Sequence, residues 1–178
     1  MNYLTLTLKE VLTHCDWRYR IIYYSIFCDK KQKDGNVTYI LRERDCGKYW
    51  NQFGMNVRNT NAWLHQQPDK TTISLNDGYF CVSEQDTLSI FNIANMLAAK
   101  SRNEFIRFTL YMYGSIKWAE ASHSGFIRTE YDMAQDVGLN IKTIHKYIEF
   151  LLKEQLIKRN WVGNNLINKG SCYMLVKF

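Results

Sequence analysis

The sequence predicts an α+β chain that is mainly helical, with a smaller mixed helix and hairpin region on its N-terminal side. Three observations predict it. Apolar residues recur at helical spacing through residues 8–28, 88–99 and 104–154. Shorter β-branched and aromatic runs at 37–42, 71–82 and 156–176 flank or contain turn residues and read as strands. A single proline, Pro68, excludes a proline-rich linker or polyproline ligand and leaves a compact chain.

The elements follow in order. Thr7-Leu8-Lys9-Glu10 is a capping box, so a helix starts near Leu8, with Val11, Leu12 and Cys15 on its apolar face. Asp16 is placed to cap a second helix over 17–28, with Tyr19, Ile22, Tyr23 and Ile26 on one side. Residues 29–35, with Lys30, Lys31 and Lys33, read as a basic turn, 37–42 as a strand and 46–53 as a short helix. Residues 54–70, rich in Asn, Gln and Thr, carry no periodic pattern. The runs 71–75 and 79–82 flank Asn76-Asp77-Gly78, whose Asp-Gly supplies the positive φ angles of a tight turn, and so predict a β-hairpin. The polar stretch 83–87 divides an N-terminal region, 1–87, from a second domain, 88–178. A helix over 88–99 precedes a longer one over 104–121, for which Asn103 is the expected cap. In the longer helix Phe105, Phe108, Met112 and Ala119 lie on one side and Ile106, Leu110 and Tyr113 on another, so it is expected to be buried on two sides.

Composition narrows the function. At 178 residues and 46% hydrophobic, the chain has enough apolar material for a core. No run approaches the roughly 18 apolar residues of a membrane-spanning helix. Residues 1–5 lack the basic and apolar regions of a secretory signal, so a cytoplasmic location without membrane contact is expected. Five cysteines without a C-x-x-C pair fit neither a disulfide framework nor a zinc ribbon, and no metal is expected. No phosphate-cradling glycine loop, H-E-x-x-H pair or G-x-S-x-G elbow is present, and the four histidines are dispersed. Neither an enzyme nor a cofactor is expected. The net charge of +6 is unevenly placed: residues 1–99 carry 11 Lys+Arg against 10 Asp+Glu, residues 100–178 carry 12 against 7. A basic excess on one part of a chain suits a polyanionic partner.

The most informative stretch is 129–149. Ala134 is small where two helices would cross, Gly138 stands four residues later where the turn needs a left-handed backbone, and Ile144 anchors the second helix six residues on. Thr129 or its neighbour can cap a helix over 130–137, and Asn140 is a good cap for one over 141–154. Met133, Val137, Leu139, Ile144, Ile148, Leu151 and Leu152 form the core face, which leaves Lys142, Thr143, His145, Lys146 and Glu149 facing outward. Strands at 156–162 and 172–176 around a polar turn at 163–170 complete the pattern.

These roughly 75 residues resemble a prokaryotic winged helix-turn-helix domain with a β-hairpin wing, of the kind found in transcriptional repressors and in plasmid or phage replication initiators. The resemblance implies sequence-specific binding of double-stranded DNA, as a homodimer. It implies base contacts from Lys142, Thr143, His145 and Lys146, and phosphate contacts from Arg128, Lys158, Arg159, Asn164, Asn165 and Lys169. The alternative is a protein-interaction adaptor that uses the winged helix as scaffold. The opening segment, 4–12, with Arg18, Arg20 and the strand 39–42, is similar to excisionase-like or mercury-regulator-like winged helices, but its turn has Cys15-Asp16 in place of glycine and its second helix is aromatic. Residues 1–87 are therefore expected to form an interaction or dimerisation region that contacts a protein partner, or a second winged helix.

Overall fold

The computed structural model describes residues 3–42, 44, 50–51, 53–162 and 170–176. The predicted helix over 46–53 and the polar turn over 163–170 lie largely outside the described residues.

The chain is mixed α+β, and its first layer surrounds an aromatic core. Strand β1 (Tyr3–Leu6) leads into helix α1 (Leu8–Thr13), whose N-terminus is capped as expected: Thr7 Oγ1 accepts from the Glu10 amide at 3.1 Å. Helix α2 (Trp17–Ile22) runs on into a π-helical turn, Tyr23–Phe27, and ends where Cys28 turns to extended backbone. Asp16 does not cap it. Its carboxylate is drawn to Arg20 Nε at 2.6 Å and to Trp63 Nε1 at 2.7 Å, both charge-assisted contacts that outcompete a backbone amide.

Residues 28–41 correct the expected basic turn. Strands β2 (Cys28–Lys33) and β3 (Asn36–Leu41) pair directly around Asp34-Gly35, both with positive φ, 50° and 71°. This is a two-residue hairpin turn of the kind Asp-Gly favours. The lysines at 30, 31 and 33 lie on its first strand rather than in a loop.

Helix α3 (Val57–His65) occupies the segment that carried no pattern. Asn56 Oδ1 caps it by accepting from the Asn59 amide, and only Thr60 and Leu64 are buried, too narrow a stripe to read as periodic. Strands β4 (Lys70–Ser74) and β5 (Phe80–Ser83) flank the predicted Asn76-Asp77-Gly78 turn but do not pair with each other. β4 joins β3 in a β2-β3-β4 sheet, while β5 pairs antiparallel with β1, four residues in register from Tyr3↔Ser83 to Leu6↔Phe80. The two sheets are tied by Tyr39, whose hydroxyl donates to the Thr5 carbonyl and accepts from the Thr5 amide, both at 2.9 Å.

Helix α4 (Glu84–Ala94) begins four residues earlier than its apolar pattern, because Ser83 Oγ accepts from the Asp86 amide and starts the helix there. Helix α5 (Arg102–Ala121) is the spine of the molecule. It packs on α1, α2, α4 and β5 on one side and on β6 and β8 on the other, burial on two sides as its sequence requires. Asn103 does not cap it; its Oδ1 accepts from the Arg18 amide at 2.8 Å and pins α2 to α5. Gly114 sits mid-helix where a Cβ would lie 2.5 Å from the Phe80 ring, so β5 approaches α5 closely only because the side chain is absent.

Strand β6 (Phe126–Arg128), helices α6 (Glu130–Val137) and α7 (Ile141–Lys153), and strands β7 (Ile157–Val162) and β8 (Gly170–Leu175) complete the fold. The sheet order is β6-β8-β7, all antiparallel. One hydrophobic cluster runs from Leu4 to Tyr173 through α5 and joins both halves of the chain. Among the described residues no helix is long and apolar enough to cross a membrane.

Candidate nucleic-acid interface

Helices α6 and α7 are set by local chemistry at each end. Thr129 Oγ1 accepts from the Asp132 amide at 3.0 Å, and Asn140 Oδ1 accepts from the Lys142 amide at 2.8 Å. Gly138 closes α6 in the left-handed region, φ 67° and ψ 35°, with open space where a Cβ would be, so glycine answers to the backbone and not to packing.

Helix α7 then divides cleanly. Ile144, Tyr147, Ile148 and Leu151 are buried, while Lys142, His145, Lys146 and Glu149 are exposed and Thr143 is half-buried. Positions 142, 145, 146 and 149 recur at three- and four-residue spacing and share one face. Lys142 and Lys146 are separated by about 6 Å of helix rise.

The buried face fixes the angle of the exposed one. The Tyr147 ring packs edge-on against Phe105 at 5.3 Å, and its hydroxyl donates to Glu104 Oε1 at 2.6 Å. Burial, reinforced by that carboxylate, pushes the Tyr147 phenol well above its ordinary pKa and keeps it a donor. Tyr111 holds α6 in the same way: its hydroxyl donates to Asp136 Oδ2 at 2.5 Å, and burial followed by that hydrogen bond raises its pKa. Arg107 Nη2 donates to the Val137 carbonyl at 2.8 Å, a cation on the C-terminal end of α6. Four side chains of α5, Glu104, Phe105, Arg107 and Tyr111, thus hold the two-helix unit.

The expected contact residues separate into groups. Lys142, Thr143, His145 and Lys146 lie together on α7. His145 is engaged: its Nδ1 is 3.1 Å from both carboxylate oxygens of Glu130. Arg159 on β7 bridges Glu149 at 3.2 Å and Glu130 at 3.8 Å, which brings the base of the hairpin against α7. Arg128 on β6 pairs with Asp136 at 2.8 Å. Lys158 is exposed, and strand alternation puts it on the opposite face of the sheet from Arg159. Asn164, Asn165 and Lys169 lie outside the described residues. Among the described residues, Lys142, Lys146 and Lys158 take part in no ion pair, whereas Arg128, His145 and Arg159 do.

Sequence reasoning placed Glu149 on the outward face but did not find the pairings that the carboxylates make. Glu130 precedes His145 by 15 residues and Arg159 by 29, distances at which no local spacing signals a pair. It also missed the exposed apolar Tyr131 and Ile141, which border the same two helices. The described residues hold no cluster of three or more His, Cys, Asp or Glu side chains able to bind a metal. Comparison with protein-family models, with curated proteins and with solved structures finds no significant match for this chain.

Proposed function

We propose that the chain binds double-stranded DNA sequence-specifically through the outer face of α7, as a homodimeric transcriptional regulator or replication initiator of the cytoplasm. The observation that carries the reading is the one-sided polarity of α7: Lys142 and Lys146, in no ion pair among the described residues, share an exposed face with His145, Thr143 lies half-buried beside them, and an apolar face is bolted to α5 behind. A helix about 10–12 Å across fits a major groove about 12 Å wide, and Lys, Thr and His are side chains that hydrogen-bond base edges there. Support comes also from the element order α5, β6, α6, α7, β7, β8 with sheet order β6-β8-β7, which is compatible with the winged helix-turn-helix that the sequence resembles, and from the basic excess of residues 100–178.

The test is fluorescence anisotropy with a random-sequence duplex over a range of salt, followed by selection from a randomised pool. Salt-sensitive binding and an enriched site with two-fold symmetry are expected. Absence of binding at low salt overturns the reading. A second reading, a protein-interaction adaptor, is favoured by Tyr3, Tyr79 and Trp118, exposed aromatic residues around one shallow depression at the β1-β5 sheet. On that reading the chain retains a protein partner through this surface and ignores DNA.

A further inference from the structure

A cavity of about 480 Å³ opens in the N-terminal half, between the π-helical turn, the β1 and β2 strands and α4. Its size is that of an ordinary small-molecule site, for which roughly 300–1,000 Å³ is usual. Ile22, Ile26, Leu88 and Phe91 supply an apolar wall. The π-helical turn Tyr23–Phe27 contributes Tyr24, Ser25 and Ile26 to the lining. Such turns cost regular hydrogen bonding and concentrate at functional sites.

Cations outnumber anions in the lining of this cavity, Lys30, Lys31 and Arg42 against Asp29 and Glu84. Arg42 and Asp29 pair with each other at 3.5 Å, and Glu84 stands on the first turn of α4, where the helix end favours an anion. Lys30 has no carboxylate among the described residues. Its ammonium donates to the Tyr3 carbonyl at 2.7 Å and to Thr5 Oγ1 at 3.3 Å and lies 3.6 Å from the centre of the Tyr3 ring, all neutral groups. Burial lowers its pKa, opposed in part by the Cys81 sulfur.

We infer that this cavity is a binding site for a small, largely apolar molecule bearing one anionic group, with the anion seated on Lys30 and the apolar body against Ile22, Ile26, Leu88 and Phe91. An anion at Lys30 restores the missing counter-charge, and the aliphatic and aromatic wall takes up the remainder. The site does not depend on DNA binding. It reaches the C-terminal half through α4, whose residues line the cavity and pack on α5.

The test uses the full chain and anilinonaphthalene sulfonate, an aromatic anion whose emission rises on leaving water. Saturable binding of one molecule per chain is expected. Octanoate displaces it, octanol does so about tenfold less well, and octylammonium fails to displace it, the spread set by one charge-assisted contact. Lys30→Gln is expected to weaken octanoate about tenfold while leaving octanol unchanged. Leu88→Trp, at the partly exposed rim, is expected to fill the cavity and abolish saturable binding of the dye and of octanoate. Emission that rises without saturating overturns the site. So does octanol or octylammonium competing as well as octanoate, and so does unchanged octanoate binding in Leu88→Trp. The three competitors act on the unaltered protein, so the result stands even where a variant fails to fold.

Discussion

Two helical segments of this chain stand in the same local setting and are used in opposite ways. α2 with its π-helical turn follows a short helix and precedes the β2-β3 hairpin; α7 follows a short helix and precedes the β7-β8 hairpin. Along residues 17–27 the buried positions are Trp17, Ile21, Ile22, Tyr23, Tyr24 and Phe27, and the remainder are all half-buried, with none fully exposed. Arg18 and Arg20, the cations such a helix would offer to a partner, are spent internally: Arg18 lies over the Phe91 ring, and Arg20 is fixed to Asp16 and to the Tyr24 hydroxyl. On α7 the polar side is open. Connectivity alone therefore does not decide what a helix after a turn does; what decides it is whether α3 and α4, or solvent, meets its outer side.

The contrast can be broken or sharpened by substitution. The largest effect is expected from Trp17→Ala, which empties a fully buried indole and its hydrogen bond to the Val11 carbonyl. A stability loss of about 3–5 kcal/mol in urea unfolding is expected, with duplex affinity of the folded fraction unchanged. Gly138→Ala forces an alanine to φ 67° with no steric contact, so its loss of about 1–2 kcal/mol reports backbone strain alone. A thermal melt with no shift would show that the α6-α7 turn relaxes freely.

Smaller effects probe the face itself. Glu130→Gln removes the charge that faces His145 and Arg159, so duplex affinity is expected to rise about two- to fivefold at low salt and less at high salt. A fall in affinity would mean that Glu130 orders His145 for contact. Lys158→Ala is expected to leave the salt slope of binding unchanged, because this lysine lies on the sheet face turned away from Arg159; a slope reduced by about one would bring that face to a phosphate.

What the sequence made legible was chemistry that acts within a few residues. Thr7, Thr129, Asn140 and Gly138 each serve the terminus that their spacing implied, since a cap and the amide it meets are two or three positions apart. What it hid was competition from elsewhere in the chain. Asp16 and Asn103 are equally good caps in isolation, yet Trp63 and Arg18, 47 and 85 residues away, claim them. The Asn76-Asp77-Gly78 turn is real, but the pairing of its flanking strands was set by β1 and β3, which local alternation cannot reveal. Lys30, Lys31 and Lys33 masked a strand because charge reads as loop unless its partner strand is known. In the candidate interface the same division holds: the outward face of α7 followed from helical periodicity, whereas the Glu130, Glu149 and Asp136 pairings that occupy His145, Arg159 and Arg128 depend on tertiary placement.

The most direct measurement is duplex binding by anisotropy across salt for the unaltered chain and for the Lys142→Ala, Lys146→Ala double variant, with circular dichroism on both. Both lysines are exposed, so the fold is expected to be unchanged. With each cation contributing about 1–3 kcal/mol, affinity is expected to fall about 100-fold or more and the salt slope by about two. Binding of the unaltered chain that survives in the double variant with the same affinity and slope would contradict the assignment of α7 as the surface that meets DNA.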